Sequence, residues 1–445
     1  MCGIVGIAGK LNTDDINLIS RMNDIIDYRG PDSGQIYQSD QILLGHKRLS
    51  IIDLNERSSQ PFHSNDRRYV LVFNGEIYNY IELKTELDSL YDFKTNSDTE
   101  VLLAAYIVWG KECLNKFVGM FAFCIYDNYK NEIFLARDHF GQKPLFYTVH
   151  KGRLIFASEI KSILCAEVIP KPNYDTWSRY LLYSSYDDDH NTFFKDIYQL
   201  KPGEYLTKSV EHGIKKTTYF ELNSNSINTT TNIEEASSHV QDLLLTTVKY
   251  HMRSDVNIGL TLSGGLDSST LLTCLDRLGI LDDKLECLSF SFHKSLSESE
   301  WIDAAASNFK LNSLYVEYTK EDYLNDIRPL MWHLEGPIGG LANCALAKLI
   351  GKAKQLGITV IQDGTGLDEA FGGYKNHHDI FLNFIVSKHP DDAKTFIKEY
   401  SDFWKVPIAK AKIIANHTSQ SSVTSIDGTN PINLDIFDND FKKKT

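Results

Sequence analysis

The chain has 445 residues, 42% hydrophobic and 24% charged, an ordinary globular balance and enough length for two domains. Its formal charge of −13 argues against broad contact with nucleic acid or an anionic membrane surface. The seven cysteines (positions 2, 113, 124, 165, 274, 287 and 344) form no zinc spacing, and neither a secretory opening nor a membrane-length apolar run is present, so a cytoplasmic protein with reduced thiols is expected.

Cys2 comes first in chain order, directly behind Met1. Removal of Met1 would put a thiol and a free α-amine on one residue. An α-amine titrates near neutrality, so it can act as the base for its own nucleophile. Taken alone, Cys2 is only a small apolar residue. Residues 16–28 read as a helix and lead into the turn Tyr28-Arg29-Gly30-Pro31-Asp32. Arg48 follows, in His46-Lys47-Arg48-Leu49-Ser50. Residues 69–73 read as a strand that enters Phe73-Asn74-Gly75-Glu76-Ile77. Ser97-Asp98-Thr99-Glu100 opens a helical run over 99–106.

Each of these has a plain reading. Arg48 suits a surface ion pair, Asn74-Gly75 a hairpin turn, and Asp98 an N-cap. Together they supply what glutamine hydrolysis requires. A guanidinium pairs with an α-carboxylate in a fork, a carboxylate receives the α-ammonium, and an Asn amide with a Gly N–H holds an oxyanion. Residues 120–126 and 132–136 complete the strand-rich half, joined by a hairpin turn over 127–131.

The polar stretch 221–232 reads as a linker. After it, helix 233–251 precedes strands at 256–262, 286–292, 313–317 and 359–361, separated by helices. That alternation predicts a doubly wound parallel sheet. Leu262-Ser263-Gly264-Gly265-Leu266-Asp267-Ser268-Ser269 joins the first of these strands to a helix. A Gly-rich turn there presents backbone N–H groups and serine hydroxyls to an anion, and Asp267 can face a divalent cation. No Gly-Lys-Ser/Thr ending is present, so this is not a Walker loop. A second Gly-rich block, Asp363-Gly364-Thr365-Gly366-Leu367-Asp368-Glu369, follows the last strand. Residues 419–445 show no periodicity.

The first half, from Cys2 to about Leu206, resembles the class II (N-terminal nucleophile) glutamine amidotransferase domain. The resemblance implies a four-layer αββα sandwich with Cys2 as nucleophile. It places Arg48, Asn74, Gly75, Glu76 and Asp98 around glutamine, with Asn74 and Gly75 at the oxyanion. The Ser-Gly-Gly-Leu-Asp-Ser-Ser run resembles the pyrophosphate loop of ATP pyrophosphatases. The pair of domains is similar to glutamine-dependent asparagine synthetases, with the first domain over 1–206, a connection over 207–232 and the second domain over 233–445.

That family implies ATP on Leu262, Ser263, Gly264, Gly265, Asp267, Ser268, Asp363 and Gly364, with Phe292 lining the adenine pocket. It also implies Mg²⁺ held by Asp267 and Asp368, and aspartate as the amide acceptor. Where the family carries a catalytic carboxylate, this chain has Thr365. A basic residue facing the phosphates and a Pro-Phe-Leu-Asp-type motif are not found, so an incomplete second domain is expected. Glu335-Gly336-Pro337-Ile338-Gly339-Gly340-Leu341 resembles relatives encoded with surface-polysaccharide genes, which implies a sugar-acid carboxylate instead. Three readings stay open: an asparagine synthase, the same chemistry on another carboxylate, and a glutaminase or binding protein without synthetase activity. A homodimer is compatible with each.

Overall fold

The computed structural model describes residues 1–183, 185–209, 213–222, 232–281, 285–291 and 298–416. It divides into two compact units, 1–173 with 189–362, and 174–188 with 363–445.

The first unit opens with β1 (Gly3–Ala8), α1 (Asp15–Asp24), β2 (Ser33–Gln38), β3 (Ile42–Arg48), β4 (Phe62–His63) and β5 (Tyr69–Ile77). Next come α2 (Tyr80–Leu87), α3 (Asp98–Trp109), β6 (Gly119–Asp127), β7 (Glu132–Arg137), β8 (Phe146–His150), β9 (Arg153–Ala157) and α4 (Ile160–Cys165). After α5 (Tyr174–Tyr183), which belongs to the second unit, β10 (Tyr198–Gln199), β11 (Glu204–Ser209) and β12 (Gly213–Thr218) complete two antiparallel sheets. Their orders are β10-β8-β9-β1-β3-β2 and β12-β11-β7-β6-β5-β4.

Strand alternation sorts the side chains into layers. Ile4, Ile42, Leu44 and Phe156 from one sheet meet Val70, Val72, Cys124 and Leu135 from the other. On the far faces, Val5, Ile7 and Leu43 pack under α1 and α4, while Leu71, Phe73 and Ile77 pack under α2 and α3. This gives the expected αββα sandwich.

The boundary expected at residue 206 falls inside β11, and β12 continues the sheet to Thr218. Gly213–Thr218 is an edge strand exposed at nearly every position, so it carries no apolar alternation and reads as linker. The helix expected over 16–28 ends at Asp24 and gives way to a 3₁₀ turn at Asp27–Arg29.

Helix α6 (Ile233–His251) leads into β13 (Ile258–Thr261), α7 (Leu266–Arg277), β14 (Glu286–Ser291), α8 (Ser299–Asn308), β15 (Ser313–Glu317), α9 (Lys320–Leu334), α10 (Leu341–Gln355) and β16 (Val360–Gln362). The sheet is parallel, in the order β15-β14-β13-β16. Cys287 packs with α7 and α8 on one face and Leu288 with α10 on the other, so helices cover both sides. The strand order reverses at β13, the position where such sheets receive ligands at their carboxyl ends. The second unit contains α11 (Leu367–Phe371), α12 (Lys375–Lys388), α13 (Ala393–Trp404) and α14 (Ile408–Ala415). Leu382, Ile397, Tyr400 and Ala411 form its core.

Candidate active site

Three strands of the sandwich carry the first cluster, and strand period fixes which side chains join it. In β3, Ile42 and Leu44 face the inter-sheet core, so His46 and Arg48 continue that face. In β5, Val70 and Val72 face it, so Asn74 and Glu76 follow. In β1, Ile4 faces it, which directs Cys2 the same way, and Gly3 pairs with Lys47 beside Arg48. Four predicted residues, Cys2, Arg48, Asn74 and Glu76, therefore converge at one end of the inter-sheet layer, with His46 beside them. Asn74-Gly75 is not a hairpin turn, because both residues lie within β5, opposite Ala122 and Phe121. Gly75 is required there, since a Cβ would stand 2.1 Å from the Met120 carbonyl.

The Cys2 thiol accepts from the Leu49 amide at 3.4 Å and lies 3.5 Å from the Leu49 carbonyl. Burial pushes the thiol up, against the pull of the Leu49 hydrogen bond. The Met1 amine beside it is lowered to about 6, chiefly by burial. Arg48 is 6% exposed and is no surface ion pair. Its guanidinium donates to the carbonyls of Asp53 at 2.6 Å and Asn55 at 2.9 Å. Both atoms of the Asn74 amide are buried and lack a hydrogen-bond partner among the described residues. Leaving a buried amide unmade costs about 1–3 kcal/mol, so both atoms stay at a cost that a hydrogen-bonding ligand would relieve.

Asp98 is the first residue of α3, and the N-cap is Ser97, whose side chain accepts from Thr99 N. The Asp98 carboxylate accepts from the Ile77 amide at the end of β5, at 3.0 Å. Burial raises it to about 6, against the hydrogen bonds from Ile77 and Thr99. Glu76 is raised to about 7 by burial and then by the charge of Asp98. His46 Nε2–H donates to the Phe73 carbonyl at 3.1 Å, and burial lowers the imidazole to about 3, so it stays neutral.

The second cluster starts at the carboxyl end of β13. Leu262 is buried, and its amide donates to the Leu288 carbonyl at 2.9 Å. Ser263 and Ser268 hydroxyls lie 3.1 Å apart, and Gly265 N donates to Ser263 Oγ at 3.3 Å. Gly264 takes φ +73°, and a Cβ there would meet Trp301 at 2.7 Å. Gly265 caps α7, and Asp267 sits in its first turn. Exposed glycine backbone, serine hydroxyls and a twelve-residue helix starting at the loop suit a phosphate chain.

Asp363, Gly364, Thr365 and Asp368 belong to the second unit. There the Thr365 amide donates to Asp363 Oδ1 at 2.9 Å, and Asp368 lies in the first turn of α11. Phe292 lies outside the described residues, as does the stretch 419–445. Among the described residues no helix is long and apolar enough to cross a membrane.

Two family models match: a glutamine amidotransferase domain over residues 1–220 and an asparagine synthase domain over 239–420. The glutamine-hydrolysing asparagine synthetase 1 of Bacillus subtilis (strain 168) is 35% identical over 380 residues, covering 84% of this chain and 59% of its own length. The amidase chry2 of Gibberella zeae is 31% identical over 406 residues, covering 84% and 59%. The putative glutamine-hydrolysing asparagine synthetase 2 of Methanocaldococcus jannaschii is 34% identical over 417 residues, which takes in 88% of this chain and 79% of that one.

The chain belongs to the glutamine-hydrolysing asparagine synthetase family. It spans 59% of the length of the Bacillus relative.

Behind the Cys2 cluster of this family member lies a charged chain that sequence reasoning missed. Arg29 donates to the Cys2 carbonyl at 2.9 Å and pairs with Glu159 at 2.7 Å. Burial opposes ionisation of Glu159, but hydrogen bonds from Lys161 and Tyr28, with Arg29, hold its carboxylate below the usual range. Lys161 in turn pairs with Glu335 at 3.1 Å, and Glu335 accepts from the amides of Ile160 and Lys161. Glu335 is the left-handed C-cap of α9, 175 positions from Ile160, and no local pattern signals such a pairing.

The raised carboxylates set a pH dependence of stability. The folded state holds protons on Glu76 to about 7 and on Asp98 to about 6, above their ordinary values of 4.5 and 3.8. Their contribution is present below the unfolded values and is lost as pH rises through about 6 and then about 7. Asp98→Asn and Glu76→Gln are therefore expected to raise Tm at pH 8 and leave it nearly unchanged at pH 4. Calorimetry at the two pH values checks this; an equal shift at both would show that ionisation is not the cause.

Proposed function

We propose that the chain is a glutamine-hydrolysing amide synthetase, with a glutaminase centre at Cys2 and an ATP-consuming centre at the loop 262–268. The observation that carries the first half is the buried, unpartnered Asn74 amide on the face shared with Cys2 and Arg48. Once Met1 is removed, the Cys2 amine takes the thiol proton and the sulfur attacks the glutamine carboxamide. Asn74 and the Gly75 N–H receive the developing oxyanion. The Cys2 ammonium returns that proton to the leaving nitrogen, ammonia departs, and water releases glutamate from the thioester. Arg48 receives the α-carboxylate. Asp98, with Glu76 beside it, receives the α-ammonium.

This arrangement requires Asp98 to be ionised. Glutamine affinity is then expected to strengthen as pH rises through about 6. Glutamine binding to the inactive Cys2→Ala variant, where no thiol proton is abstracted, is expected to strengthen about tenfold per pH unit up to that value and to lose this slope when Asp98→Asn is added. Binding to Cys2→Ala that is flat from pH 5 to 8 would remove Asp98 from this role.

For the second half, the Ser263–Ser268 hydroxyl pair, the Gly265 amide and the start of α7 fit the phosphates of ATP. The family resemblance assigns Mg²⁺ to Asp267 and Asp368; the ion takes one or two carboxylates with phosphate oxygens and water. Mg²⁺ would neutralise charge on the departing pyrophosphate. ATP adenylates a carboxylate, and ammonia displaces AMP to give the amide. Aspartate is the acceptor this reading favours. A sugar acid is the second reading, favoured by the block from Glu335 to Leu341. The glutaminase or binding protein without synthetase activity is the reading in which neither is adenylated.

Thr365 has no proton to exchange near neutral pH, so weak amide synthesis on aspartate is expected unless Glu369, which accepts from Tyr374 at 2.8 Å, supplies the acid–base group. A pyrophosphate-release screen over aspartate, uronic acids and nucleotide-sugar acids, with ammonium as nitrogen donor, tests the synthetase reading. Asp267→Asn is expected to lower release about 10²-fold or more, as loss of a group that acts on transition-state charge does, with glutaminase activity intact. No acceptor-dependent pyrophosphate from any carboxylate would leave only the glutaminase.

A further inference from the structure

The loop 51–55 is tied by five hydrogen bonds. The Asp53 carbonyl accepts from Arg48 at 2.6 Å, and the Asn55 carbonyl from the same guanidinium at 2.9 Å. The Asp53 carboxylate accepts from Asn96 N at 2.9 Å, two residues before Asp98. The Asp53 amide donates to the Asp255 carboxylate at 2.8 Å, and the Asp255 amide donates back to the Ile51 carbonyl at 2.9 Å. Asp53 is buried, with φ +49°, a backbone conformation that outside contacts must hold. Those contacts include Asp255, which lies 202 positions away and three residues before β13.

Neighbouring residues of the same segment grip the turn that follows β5. His251 stacks on Tyr78 at 4.1 Å, and Arg253 donates to the Tyr78 carbonyl and in a fork to Glu82. Tyr78 follows β5 directly. A cavity of about 470 Å³ opens over the clasp, lined by Asp53, Leu54, Asn55, Glu56, Asn96 and Asp255.

We propose that Asp255 is a positioning residue for the glutamine site. By holding Asp53, it fixes the reach of Arg48 toward the α-carboxylate and the start of the helix that carries Asp98. Asp255 touches neither the thiol nor the oxyanion amide, so its effect falls on binding and not on the acyl-transfer steps. The same residue leads into β13, whose far end becomes the phosphate loop.

The inference rests on the proposed glutaminase reading and is tested on the full chain. Asp255→Ala is expected to raise the glutamine KM about three- to tenfold, the size of one lost hydrogen bond, with kcat within about twofold. Amide exchange at Asp53 and Asn96 is expected to quicken, while that of β1 stays unchanged. Asp255→Asn keeps an acceptor oxygen and should restore both. Should the alanine variant fail to fold, Asp255→Ser removes the same acceptor and gives the same expected shift. Glutaminase activity in the wild type with unchanged KM and exchange in Asp255→Ala or Asp255→Ser overturns this inference alone. A wild-type protein that neither binds nor hydrolyses glutamine overturns it together with the glutaminase reading.

Discussion

Cys2→Ala is expected to abolish glutamine hydrolysis, a fall of about 10⁴-fold or more, because the nucleophile itself is lost. The same variant should keep ammonium-dependent pyrophosphate release at the wild-type rate. The two outcomes follow from separation of the chemistry. Cys2 precedes β1 of the antiparallel sandwich, whereas the loop 262–268 follows β13 of the parallel sheet. Stability should barely change, since the Cys2 thiol makes only two hydrogen bonds among the described residues, both to Leu49 and both 3.4 Å or longer, and the Arg29 bond to the Cys2 carbonyl is kept in alanine. Mass spectrometry of the active protein belongs to the same test. Full glutaminase activity in protein that retains Met1 would contradict the role of the Cys2 amine as base.

Asn74→Leu is expected to lower kcat for glutamine hydrolysis about 10²–10³-fold, the usual cost of removing one oxyanion donor. The glutamine KM should change little, because the carbonyl oxygen gains charge only in the transition state. Thermal stability should move in the opposite direction. The amide is buried without a partner, and a near-isosteric apolar side chain removes that penalty while filling the same volume. A loss of activity with a gain in Tm would identify an amide kept for chemistry. A loss of both would point to a packing role.

The fold was largely legible because its period is local. Residues 233–251 and 313–317 were expected as helix and strand and are α6 and β15 at those bounds. The alternation in β5 likewise marks which residues face the inter-sheet layer. What sequence could not carry is distance. Glu335 reaches Ile160 and Asp255 reaches Asp53 across more than 170 positions, and neither pairing has a spacing signal. The polar edge strand Gly213–Thr218 shows the opposite limit: sheet pairing by backbone alone leaves no apolar pattern to read. Asn74-Gly75 had the composition of a turn and lies in a strand, because the glycine accommodates the close approach of β6 and not a reversal of the chain.

The thiol and the orphan amide stand on opposite leaves of a sandwich, so the apolar filling acts as a shim that sets the gap between them. Ile4 and Val72, each two residues behind one of those groups, are part of that filling, and the Phe156 ring lies against Gly6, where even a Cβ would stand 2.2 Å from Cζ. A methylene added or removed here changes the sheet spacing before it unfolds anything. Turnover number should then be a finer gauge of this core's thickness than melting temperature, and substitutions far from either reacting group should alter catalysis by tilting one leaf against the other.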